Sequence, residues 1–154
     1  MKNKLLVVGT MAYDAIETPF DKVDRTLGGA ATYIALASSK FDIDCGLVSV
    51  IGDDFEDSDL KILQDLDVNT AGVEQVAGGK SFFWSGRYHD NMNSRTTLDT
   101  QLNVLENFTP NVPNNYRDAE VMMIGNLHPG VQLTALNQMS GTSKFVVLDT
   151  MNFW

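Results

Sequence analysis

Four short, nearly unbroken apolar runs constrain this chain more than anything else in it. They are Leu5-Leu6-Val7-Val8 before Gly9, Leu47-Val48-Ser49-Val50-Ile51 before Gly52, Val121-Met122-Met123-Ile124 before Gly125, and Phe145-Val146-Val147-Leu148 before Asp149. A strand alternates its side chains between two faces, so consecutive apolar positions mean burial on both. That is the pattern of a parallel sheet covered by helices. The stretches between the runs suit helices. Ala30 to Ser39 is rich in alanine and leucine and apolar nearly all round, which predicts burial on most of its faces. After Asp53-Asp54, the residues Leu60, Leu63 and Leu66 fall on one helical face. Pro129 opens a helix to about Met139, with proline well placed in the first turn. Strands alternating with helices define an α/β class with a mainly parallel sheet.

Other segments break this rhythm. Ala15 to Leu27 carries Pro19 and scattered charges and reads as a short β excursion. Val68 to Val76 leads toward another short strand. Ser81 to Tyr88 is aromatic and β-prone, ends at the turn signal His89-Asp90-Asn91, and takes Arg95 to Leu98 as its hairpin partner. Pro110 to Asn115 is loop.

Composition excludes several classes of partner. The 154 residues make one modest domain. Their net charge of −9 lacks the clustered positive face that nucleic acid or an anionic membrane needs. The apolar runs are far too short to span a bilayer. The basic start Met1-Lys2-Asn3-Lys4 is followed by an apolar stretch that stops at Gly9-Thr10, too short for a signal peptide, so a cytoplasmic protein is expected. Cys45 stands alone, which rules out an internal disulfide and a cysteine-based zinc site; it reads as a small core residue at a strand start. The chain has no Walker-type phosphate loop, no Gly-x-Gly-x-x-Gly fingerprint and no Gly-x-Ser-x-Gly elbow.

Candidate functional residues gather just past the strand ends, where open α/β sheets bind ligands. Asp14 follows the first strand, and a carboxylate accepts hydrogen bonds from paired hydroxyls. Gly28-Gly29 opens the alanine-rich helix, where bare amides and close backbone approach are available. Asn126, His128 and Asn152 lie beyond later strands on the same edge. Arg87 projects from the aromatic hairpin and is placed to contact a hydroxyl or phosphate. Asp53 and Asp54 read as a helix N-cap and its neighbour rather than as metal ligands. His89 and His128 lack metal-ligand spacing, so no metal site is assigned.

The ordered set Leu6-Val7-Val8-Gly9, Asp14, Gly28-Gly29 before an alanine-rich helix, and Val50-Ile51-Gly52-Asp53-Asp54 resembles the N-terminal half of a PfkB-type, ribokinase-like carbohydrate kinase. Ser85 to Tyr88, Thr100 to Val104 and the ending Asp149 to Trp154 resemble one branch of PfkB-type sugar kinases more than ribokinase itself. The resemblance implies a ribokinase-like fold with a small β lid formed by about residues 15–27 and 81–100. It implies ATP-dependent phosphorylation of a sugar or nucleoside hydroxyl, with Asp14, Gly28 and Gly29 holding substrate and Phe82, Phe83, Trp84, Tyr88 and Arg87 closing over it. A homodimer through the lid also fits. Tyr33 occupies a position where the family usually has a substrate-touching asparagine.

The same resemblance places the catalytic aspartate, its glycine-rich anion hole and most contacts to ATP and Mg2+ in a C-terminal half. No Gly-Ala-Gly-Asp-like segment occurs in these residues, so no catalytic residue is assigned and the chain alone is expected to be inactive. The large apolar residues Met151, Phe153 and Trp154 at the end, with no helix after the fourth run, suggest the N-terminal part of a longer protein. The competing reading is a non-catalytic sugar- or nucleoside-binding module, or a gene remnant. A Rossmann-like dinucleotide binder rests on strand–helix alternation alone.

Overall fold

The computed structural model describes residues 2–141 and 143–150. The first strand, β1 (Asn3–Val8), leads into the pair β2 (Ala12–Glu17) and β3 (Lys22–Gly28), and then into α1 (Ala30–Ser38). Next come β4 (Ile43–Gly52), α2 (Asp57–Gln64), β5 (Asn69–Val76), β6 (Phe82–Tyr88) and β7 (Arg95–Gln101). Two short 3-10 turns, Asn103–Asn107 and Asn114–Tyr116, precede β8 (Val121–Ile124), α3 (Pro129–Leu136) and β9 (Phe145–Leu148).

These strands form two sheets. The larger has the order β5-β4-β1-β8-β9 and is parallel throughout. The smaller has the order β3-β2-β6-β7, with β2 and β6 parallel and both outer pairs antiparallel. The smaller sheet is thus built from two of the stretches that broke the strand–helix rhythm, around residues 15–27 and 81–98, while 69–76 joins the larger sheet as β5.

β1 shows why the apolar runs govern the fold. It lies between β4 and β8, and its alternation divides the interior in two. Leu5 and Val7 join Ala31 and Ala35 of α1, Leu63 of α2, and Leu47, Ile51 and Phe55. Leu6 and Val8 join Val48, Val50, Met122, Ile124, Val112 and Tyr116 on the other face. Cys45 is buried near the start of β4, and burial pushes its thiol up.

Four expectations need correction. β9 is read as buried, yet Phe145, Val146 and Leu148 are exposed, because β9 is the outermost strand and no described element covers them. In α1, burial is confined to Ala31, Thr32, Ala35 and Ser38, whereas Tyr33 and Ala37 face outward. Leu66 lies beyond the end of α2 and is exposed, since the helix stops at Gln64. Asp53 and Asp54 do not cap α2, because Glu56 holds the N-cap position and Phe55 is drawn into the core ahead of it. Their carboxylates instead accept hydrogen bonds from Gly78 N at 2.6 Å and Ser81 N at 2.7 Å, fixing the turn that leads into β6.

Candidate functional site

The carboxyl ends of β1 and β8 meet the start of α1 through small residues. A Cβ on Gly125 would stand 3.1 Å from Ala30 Cβ and 3.4 Å from Gly9 Cα. Thr10 takes the first two amides of α1: Ala30 N donates to its Oγ1 and Ala31 N to its carbonyl, each at 3.0 Å. The free amides expected at this helix start are therefore partly spent within the chain. Gly29 has φ +95°, a conformation side chains rarely adopt, and a Cβ there would run into the Thr10 carbonyl.

Gly28 has a different role. A Cβ on it would land within the Asp14 carboxyl group, 2.5 Å from Cγ and 2.8 Å from Oδ1. Glycine at this position is what lets Asp14 occupy its place. Asp14 is half-buried, and burial pushes its carboxyl above the usual range. It makes no hydrogen bond or ion pair with any described residue. A carboxylate desolvated without a partner is held at a cost, and a ligand hydroxyl offers the missing donor.

The register of the small sheet settles which side chains accompany Asp14. β2 pairs with β6 as Asp14 to Trp84, Ala15 to Ser85, Ile16 to Gly86 and Glu17 to Arg87. Paired residues share a face and successive ones alternate. Asp14, Ile16 and Trp84 therefore lie on one face, and Tyr13, Phe83, Glu17 and Arg87 on the other. Arg87 is gripped by Glu17 through Nε to Oε1 at 2.8 Å and Nη2 to Oε2 at 3.2 Å. The structure thus separates Arg87 from Asp14.

The face opposite Asp14 attaches the small sheet to the larger body. Tyr13 is buried beside Phe55, with ring centroids 5.2 Å apart. Its hydroxyl donates to Asp59 Oδ2 at 2.6 Å and accepts from Glu56 N at 3.0 Å, and burial raises its pKa. The Arg25 guanidinium stacks 3.8 Å above the ring and donates to the Asp54 carbonyl at 2.6 Å. Tyr13 and Arg25 are absent from the sequence-based site. The available signal was the alternation within Ala12–Glu17, which makes the neighbours Tyr13 and Asp14 point apart.

The remaining expected residues are dispersed around this edge. Tyr33 is 56% exposed, and its hydroxyl donates to the Leu27 carbonyl at 2.9 Å, pinning the ring beside the approach to Gly28. Asn126 follows Gly125, and its Oδ1 is buried without a hydrogen-bond partner among the described residues; Thr32 Oγ1, in the first turn of α1, is likewise unpartnered among them. His128 caps α3, its Nδ1 accepting from Gly130 N at 3.1 Å. Asn152 lies outside the described residues. The structure brings Asp14, Gly28 and Gly29 together, with Asn126 beyond the neighbouring strand.

No family profile matches the sequence. A cytidine kinase from Thermococcus kodakarensis is 28% identical over 137 residues, which cover 89% of this chain and 48% of that protein. A nucleoside kinase of Methanocaldococcus jannaschii, an archaeal member of the ribokinase family, superposes with a TM-score of 0.75 at 20% identity, covering 96% of this chain and 52% of that one. This is a ribokinase-like fold. A ribokinase from Cryptococcus neoformans var. grubii serotype A, solved in complex with ADP, gives a TM-score of 0.74 at 15% identity, covering 96% of this chain and 49% of that one. The chain therefore spans about half the length of these ribokinase-like relatives.

The described residues do not fit ATP or a metal ion by themselves. No group of three or more His, Cys, Asp or Glu among them is placed to hold a metal. The Gly78-Gly79 turn has its amides spent, Gly78 N on Asp53 and Gly79 N on the Val76 carbonyl. No described helix is long and apolar enough to cross a membrane.

Proposed function

We propose that this chain is the N-terminal half of a PfkB-type kinase and holds the acceptor hydroxyls of a sugar or nucleoside. One observation carries the reading: Asp14 is half-buried, without a partner among the described residues, and made room for by Gly28 beside the carboxyl edge of the parallel sheet. The cytidine kinase and nucleoside kinase among its relatives support the same class of substrate. The small sheet acts as a lid, hinged where Ala12 and Gly28 pair and where the Asp53–Asp54 loop grips residues 78 to 81. Asp14 accepts from two neighbouring hydroxyls, which orients a third toward the phosphoryl donor. Gly29 keeps the backbone close, and Asn126 offers a further acceptor across the edge. ATP is the proposed phosphoryl donor, with Mg2+, and both are held by residues beyond this chain, as is the catalytic base. The protein is proposed to work in the cytoplasm, on a small molecule rather than on nucleic acid or a membrane.

The test is calorimetric titration of the purified chain with D-ribose and cytidine, beside Asp14→Asn. Saturable binding that Asp14→Asn weakens by about tenfold or more supports the reading, that factor being worth about 1.4 kcal/mol. Binding that ignores the substitution overturns it. The purified chain alone is expected to release no ADP in the presence of either acceptor and ATP. Robust turnover would show that the catalytic base lies within these residues.

A further inference from the structure

The face of the small sheet that carries Asp14 also carries a flat aromatic surface, and a lid position alone does not say what it contacts. Trp84 is the register partner of Asp14 on the next strand, so the two side chains rise from adjacent backbones about 4.8 Å apart. The indole does not stand up from the sheet. It lies along β6 over Gly86, where a Cβ would stand 2.9 Å from Cζ3 and closer still to Cζ2 and Cη2. Only glycine at position 86 allows the ring to lie down. Nε1 donates to Thr97 Oγ1 at 3.3 Å, which fixes the ring's rotation and satisfies its one polar atom. The neighbouring strand supplies Ile16 beside Gly86, and the Arg95 guanidinium lies over the ring, 5.8 Å from its centroid, on a long side chain that a stacking ring would have to move aside. Trp84 remains partly exposed. The ring therefore lies one step further along the strand than Asp14, away from the end where Ala12 pairs with Gly28.

We infer that Trp84 is a stacking platform for a planar ring of the substrate, and that Gly86 is the residue that lays it flat. The inference rests on the reading that Asp14 holds hydroxyls, and it narrows the substrate class. A compound with hydroxyls at one end and a planar heterocycle at the other fits both features at once; that is a nucleoside rather than a free sugar. An indole offers its π face to any base, and such stacking is sequence-tolerant, so the platform selects the presence of a base more than its identity.

The test uses the chain with Trp154→Phe, so that Trp84 is the only tryptophan, titrated with cytidine, adenosine and D-ribose. Both nucleosides are expected to quench its fluorescence saturably, and calorimetry is expected to show ribose binding at least about tenfold more weakly, the lower range of a base–aromatic stack. Trp84→Ala should collapse the nucleoside-over-ribose preference to about one, Trp84→Phe should keep most of it, and Gly86→Ala should reduce it by displacing the ring. If Trp84→Ala does not fold by circular dichroism, the Phe and Gly86 variants decide. Equal binding of ribose and nucleosides, or a preference that survives all three variants, overturns the platform. If Trp84→Ala instead halves the mass in sedimentation and leaves the preference intact, the ring serves contact with a second copy and the inference fails. Loss of all binding in Asp14→Asn with no effect at Trp84 sinks only the platform. The converse pattern sinks only the Asp14 reading, and absence of binding by every probe sinks both.

Discussion

The two sheets of this molecule are held by different means. In the large sheet, β1 has Leu6, Val7 and Val8 at 0% exposure, strands on both sides and apolar clusters on both faces. In the small sheet, Tyr13, Leu27 and Phe83 anchor one face to the core, but every residue of β7 is exposed, and the side-chain links between its outer strands are polar: Arg87 with Glu17, Trp84 with Thr97. The first arrangement draws on burial, worth roughly 1.5–3 kcal/mol for each large side chain. The second draws on surface contacts worth about 1 kcal/mol or less. The chain thus concentrates stability in one sheet and leaves the other free to carry a desolvated carboxylate and a partly exposed aromatic ring. Segments that must bind and release come from the less stable end of a fold.

Substitutions can break this contrast. Leu6→Ala, in the middle of β1, should cost about 2–5 kcal/mol and lower the urea midpoint sharply. A cost below about 1 kcal/mol would mean the large sheet is not the stable body. Gly28→Ala should leave the unfolding free energy within about 1 kcal/mol of the parent, since the flexible Asp14 side chain can turn aside, yet weaken cytidine binding by about tenfold or more because the carboxylate has moved. Equal affinity for parent and variant would separate Gly28 from the site. Tyr13→Phe removes the hydroxyl that ties β2 to Asp59 and Glu56 N, and should cost about 1 kcal/mol and speed amide exchange across β2 and β6 more than across β1. Uniform acceleration would show that the sheets open together.

Asp14 gives a test with a sign. Burial raises its folded pKa above the unfolded value, so the folded state holds the proton more tightly. Stability from this group is fully present below the ordinary carboxylate range and is lost as pH rises through the folded pKa. Asp14→Asn should therefore raise the melting temperature at pH 7 and confer no gain near pH 3. An unchanged melting temperature at pH 7 would mean the carboxylate is well solvated. The smallest effect is expected from Arg87→Gln, under about 1 kcal/mol, because both partners are substantially solvent-accessible. A larger loss of binding than of stability there would bring Arg87 back into the site.

The sequence made the large sheet legible because its signal is local. Four apolar runs ending at Gly or Asp predict β1, β4, β8 and β9, and all four are strands. What the runs do not tell apart is β1 from β9. Leu5-Leu6-Val7-Val8 and Phe145-Val146-Val147-Leu148 read alike, yet one is buried and the other exposed, because burial depends on what packs over a strand and not on the strand. Asp53 and Asp54 were misread for a related reason. Their partners, Gly78 and Ser81, lie 25 and 27 residues away, and no local pattern announces that turn. Arg87 and Glu17 are 70 residues apart, so only the β2–β6 register shows the pair. Asp14, Gly28 and Gly29 stand out in the sequence by their place, a carboxylate past a strand and glycines at a helix start, but that Gly28 makes room for Asp14 is visible only in the β2–β3 pairing.

Tyr13 and Asp14 are neighbours that face opposite ways, one tying the small sheet to α2 and the other presented on the open face. Two tasks are thereby written into alternate letters of the same strands. On the proposed reading, a change at Asp14, Ile16 or Trp84 alters what is welcomed on the open face, while a change at Tyr13, Phe83 or Arg25 alters how firmly the sheet is moored. A lineage can drift toward a new substrate through the first set while the second stays as inherited, so changes of taste need not pass through a crippled fold.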